Sequence, residues 1–95
     1  MNHSSTMRKA KPSAADLDVL VRELRALCGL TQEQFAARLG VTLVTVNRWE
    51  NDRARPMPLA LRQLNALAVE MSQFGSEAER KIAHRLLEQY FRKNS

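Results

Sequence analysis

The chain has 95 residues, 44% of them hydrophobic, with 15 Lys and Arg against 10 Asp and Glu, for a formal net charge of +5. That length carries one small hydrophobic core and not two, and no apolar run approaches a membrane span or a secretory leader. A single cysteine, Cys28, excludes an internal disulfide, and no Cys/His cluster has metal-ligand spacing, so no metal or cofactor is expected and a reducing cytoplasm is the default compartment.

Residues 1–13 read as a disordered basic arm, with Arg8, Lys9 and Lys11 and no acid; Met7 offers a second start point. Ser13 is placed to cap a first helix that buries Leu17, Leu20, Val21, Leu24 and either Leu27 or Cys28, until Gly29 stops it. Thr31, with Gln34 three places on, fits a capping box for a second helix, whose apolar face is Phe35, Ala36 and Leu39. Gly40 ends that helix, because only glycine takes the left-handed position without steric cost. Val41 crosses the turn as an apolar plug, and Thr42 is a good cap for a third helix.

On the third helix Val46 and Trp49 lie three apart, on one face. With about 100° per residue, Val44, Asn47 and Arg48 point most nearly away from that face, flanked by Leu43 and Thr45. Asn51 to Met57 is a loop carrying Arg53, Arg55 and Pro56. Pro58 suits the first turn of a fourth helix burying Leu61, Leu64, Leu67, Ala68 and Met71, broken at Gly75. Ser76 and Glu79 form another capping box, opening a last helix to about Arg92.

The apolar residues of that last helix, Ala78, Ile82, Ala83, Leu86, Leu87, Tyr90 and Phe91, spread over an arc wider than the ordinary stripe. One side covers the core. Leu87 and Phe91 are then left as an exposed ridge suited to a two-fold dimer, unless the helix packs more completely than the pattern indicates. The expected organisation is an all-α, compact five-helix bundle: the arm at 1–13, a helix-turn-helix domain at 14–75 and a C-terminal helix at 76–95 suited to dimerisation.

Two helices crossing over a short turn need a small side chain at their closest approach, and Ala36 supplies it. Ala36, Gly40, Val46 and Trp49 at their spacings, with Gly29-Leu30-Thr31-Gln32, Leu39-Gly40-Val41 and Trp49-Glu50-Asn51, resemble the lambda repressor/Cro family of helix-turn-helix proteins, also called the XRE type. The likeness covers roughly Val21 to Leu67. It implies a bundle of about five helices whose third lies in the major groove of double-stranded DNA.

The resemblance also implies roles. Gln32 matches a phosphate-contacting glutamine at the start of the second helix. Thr42, Asn51, Arg53 and Arg55 fall where relatives approach the backbone. Base reading falls to Leu43, Val44, Thr45, Asn47 and Arg48: Arg48 can donate two hydrogen bonds to a guanine edge, and Val44 or the Thr45 methyl can meet thymine methyls. Relatives often carry glutamine or serine where Leu43 and Val44 stand; two aliphatics weaken hydrogen-bond readout, and they either pack against the domain or serve protein binding. Arg25 matches an arginine that pairs with the glutamate at Glu50, so Arg25 and Glu50 are structural, as are Ala36, Gly40, Val46 and Trp49.

Charge alone supports a polyanionic partner only weakly. From Thr31 to Pro56, Arg38, Arg48, Arg53 and Arg55 face Glu33, Glu50 and Asp52, a net of +1, and most of the excess lies at the chain ends. An enzyme is not expected: His3 is in the arm, His84 is on the polar side of the last helix, and neither has a nucleophile or carboxylate arrangement around it. Two function classes remain. One is a sequence-specific DNA-binding transcriptional repressor acting as a cytoplasmic homodimer. The other is a protein-interaction module, an antitoxin or adaptor gripping a toxin or another regulator.

Overall fold

The computed structural model describes residues 16–91. Five α-helices follow one another: α1 (Leu17–Cys28), α2 (Gln32–Leu39), α3 (Leu43–Glu50), α4 (Pro58–Phe74) and α5 (Glu77–Leu86), which continues as a π-helical turn over Leu87–Phe91. There is no strand among the described residues. The arm at 1–13, the proposed cap Ser13 and the helix end at Arg92 lie outside them.

Local chemistry sets most helix ends. Gly29 and Gly40 adopt φ of 70° and 76°, and the N–H groups at and after each glycine return to the carbonyls of Ala26 and Arg25, and of Ala37 and Ala36. This arrangement satisfies carbonyls that a helix end leaves without partners. Thr31 and Ser76 make full capping boxes with Gln34 and Glu79, and the Thr42 hydroxyl accepts from the Thr45 N–H at 3.1 Å. Gly75 differs from the other two glycines. Its φ is −76°, but an added Cβ would sit 2.8 Å from the Met71 carbonyl oxygen and 2.9 Å from the Glu79 Cβ, so the α4–α5 corner needs glycine for space.

Every helix contributes to one core. Leu20, Val21 and Leu24 of α1 meet Phe35, Ala36 and Leu39 of α2, Val46 and Trp49 of α3, Leu64, Leu67 and Ala68 of α4, and Leu86 of α5. Leu17, Leu27, Cys28 and Leu61 pack at its edge. The C-terminal helix is more completely seated than its wide arc implies. Leu87 and Phe91, expected as an exposed ridge, are half-buried against the core beside Tyr90. Leu87 lies four residues after buried Ala83 and shares its side of the helix; the π turn's i→i+5 pattern advances less per residue than the ~100° of an α-helix, so Phe91 falls back toward the line of Ala83 and Leu86. The apolar surface that stays exposed on this side is Phe74 and Ile82.

Candidate nucleic-acid interface

The two faces of α3 are sharply different. Val46 is fully buried and Trp49 is 4% exposed, whereas Leu43 is 45% and Val44 56% exposed. Asn47 and Arg48 are exposed with them, and Thr45 is half-buried. The helix is one residue over two turns long, so its outward direction is set by those two anchors and by the α2–α3 turn. Leu43 and Val44 do not pack into the domain; they are aliphatics presented to solvent.

Val44, Asn47 and Arg48 join Asn51 and Arg53 around a shallow open concavity. The chain turn after α3 makes this possible. Asp52 adopts a left-handed φ of 58°, its N–H reaches the Trp49 carbonyl at 3.2 Å, and the Arg53 N–H reaches the Arg48 carbonyl at 2.8 Å. Aspartate tolerates this conformation better than most residues, and the fold-back brings Arg53 beside Arg48. The Asn51 amide donates to the Asn47 carbonyl at 2.8 Å, tying the loop to the last turn. Arg55 is exposed but does not line the concavity. Thr42 is exposed, with its hydroxyl engaged both as the α3 cap and with the Thr45 hydroxyl at 2.9 Å.

Behind this face lies an ionic clamp. Glu50, 5% exposed, accepts two hydrogen bonds from Arg25, from Nε at 2.6 Å and from Nη2 at 3.0 Å. The Arg25 Nη1 also donates to the Leu30 carbonyl at 3.0 Å, and Arg22 donates to the Glu50 carbonyl at 2.6 Å. The Arg25–Glu50 pairing suggested by the resemblance is therefore present in bidentate form, the stronger geometry for such a pair. Burial by itself would raise the Glu50 carboxyl; hydrogen bonds from Arg25 and Gln32 and the charges of Arg25 and Arg22 outweigh it and hold its pKa below the ordinary value. Its partner gains equally in direction: the hydrogen bond to Glu50 raises the Arg25 pKa.

Gln32, the first residue of α2, is engaged within the domain. Its side chain is half-buried, donates to Glu50 Oε1 at 2.9 Å and accepts from Asn47 Nδ2 at 3.3 Å. Neither this bridge nor the Arg22 contact is legible in the sequence. Both join residues that only the tertiary crossing of α1, α2 and α3 brings together, and no spacing signals them. Burial pushes the Cys28 thiol up, against the opposing charge of Arg38, which leaves it a poor nucleophile.

Two short helices at a fixed crossing, the second with one buried and one free face, define a helix-turn-helix domain. A profile of the helix-turn-helix family matches residues 21–70, more than half of the chain. The chain belongs to this family, of the XRE/lambda repressor-like type, and is a DNA-binding helix-turn-helix regulator. No curated protein and no solved structure gives a match. Among the described residues no helix is long and apolar enough to cross a membrane.

Proposed function

We propose that the protein is a sequence-specific regulator of transcription that inserts α3 into the major groove of double-stranded DNA and represses by occupying its site. The observation that carries this reading is the exposed set Val44, Asn47 and Arg48 on a helix anchored from behind by Val46 and Trp49. In this reading Leu43, Val44, Thr45, Asn47 and Arg48 meet base edges, while Thr42, Asn51, Arg53, Arg55 and the start of α2 at Gln32 approach phosphates. Two copies on a two-fold site would place their α3 helices about one helical turn, ~34 Å, apart. Support for pairing comes from the α4–α5 hairpin, where Phe74 is 80% and Ile82 39% exposed.

The test is selection of bound duplexes from a random pool, followed by titration against salt. Reversing Arg48 to Glu should relax preference at one base position; reversing Arg53 or Arg55 should weaken all sequences alike and flatten the salt dependence. Failure of the wild-type chain to enrich any motif, with no salt dependence, rejects the reading. Exposed Leu43 and Val44 favour one alternative, a protein-interaction module such as an antitoxin or adaptor. Tight binding of a toxin-like partner that Leu43→Ser abolishes, together with weak DNA binding by the chain alone, supports that alternative.

A further inference from the structure

The contacts of Gln32 carry a donor and acceptor order that runs from the core to the outer face of α3. Glu50 is a carboxylate held by Arg25 and can only accept. Gln32 must therefore turn its NH₂ group toward Glu50, as it does at 2.9 Å. Its carbonyl oxygen is then the end that faces α3, and it accepts from Asn47 Nδ2 at 3.3 Å. This contact orients the Asn47 amide, which is exposed. One N–H points at Gln32, leaving the second N–H and the carbonyl oxygen for the groove.

We propose that Gln32 is a positioning residue for DNA reading: through Glu50 it sets which way the Asn47 amide faces, and so selects adenine at the base that Asn47 meets. An adenine edge offers N7 as acceptor and its N6 amino group as donor, which matches one asparagine N–H and one asparagine oxygen. The reversed amide would offer its carbonyl to Gln32's carbonyl, two acceptors facing each other, and is disfavoured. A phosphate contact alone would make Gln32 act on all sequences equally; the positioning role adds an effect confined to one base.

The inference rests on the DNA-reading function proposed above, and two measurements separate the failure of one from that of the other. The first needs no DNA. In ¹⁵N-edited spectra of the full chain, Gln32→Ala should shift the two Asn47 Nδ2 protons toward the values of a free amide. Gln32→Met, which keeps the length of the side chain without its polar atoms, should do the same and guards against a folding defect. Unmoved Asn47 amide signals in both variants overturn the proposal.

The second measurement repeats the random-pool selection with wild type and both variants. The expected result is a preference for adenine at one position in the wild-type motif, reduced about fivefold to tenfold in the variants, with the other positions unchanged. A uniform loss across all sequences overturns the proposal in favour of a phosphate contact. A moved amide with no motif in the wild type removes the base-reading role together with the proposed function, and leaves the Glu50–Gln32–Asn47 relay standing as structure alone.

Discussion

Arg25–Glu50 and Arg38–Glu70 close at similar distances, 2.6 and 2.9 Å, in unlike surroundings. In the first pair the side chains are 26% and 5% exposed and join α1 to the end of α3. In the second they are 45% and 53% exposed and span α2 and α4 at the surface. Length does not rank them. A buried carboxylate that loses its partner cannot be rescued by water, whereas an exposed one is rehydrated at once. All the helices are held by the shared apolar core, but the end of α3 is also tied to α1 by a polar contact that the burial of Glu50 makes expensive to break, whereas the α2–α4 pair adds only surface charge.

The largest expected effect follows from this contrast. Glu50→Ala removes the acceptor of the Arg25 and Gln32 hydrogen bonds, and should cost about 2–3 kcal/mol in denaturant unfolding at neutral pH, since the Arg25 left behind is 26% exposed and partly rehydrated. A loss within ~0.5 kcal/mol would place the pair with the surface ones. The same clamp has a pH signature. The Glu50 pKa is lowered in the folded chain, so its contribution is complete above the ordinary glutamate value of about 4.3 and is lost as pH falls through the lower folded-state value. The stability gap between wild type and Glu50→Gln should narrow in acid; a gap that stays constant to about pH 3 would show that the ionised form is not favoured by folding.

Smaller effects test whether local contacts care about the region they sit in. Thr31 caps the reading unit and Ser76 caps the C-terminal helix with the same box geometry. Thr31→Ala and Ser76→Ala should each cost about 1 kcal/mol, measured by thermal unfolding, because a cap acts on its own first turn. A markedly larger loss for Thr31 would mean that α2 alone is coupled to the clamp through Gln32. The smallest change is expected for Arg38→Ala, about 0–0.5 kcal/mol, with what remains screened away in high salt.

Much of the fold was legible because its signals are short-range. Thr31, Thr42 and Ser76 act within three residues, and Gly29 and Gly40 act on the carbonyls just before them. The outward direction of Val44, Asn47 and Arg48 follows from helical spacing with Val46 and Trp49 as anchors, and their exposure agrees. The C-terminal helix was harder. An α-helical period throughout leaves Phe91 facing outward, and the wider turn at Leu87–Phe91 shifts its phase inward. The bridge that Gln32 makes within the domain is harder still to read, because its partners there are 15 and 18 residues away.

The residue order by itself determined where each helix starts and stops and which stripe of it is apolar, since those depend on neighbours within one or two turns. Only the tertiary structure decided that Glu50 is buried between two arginines, that Arg53 comes to lie beside Arg48, and that Gln32 bridges Glu50 and Asn47. Those facts depend on how three helices cross, and a crossing is fixed by the filling of a shared core to which all five helices contribute.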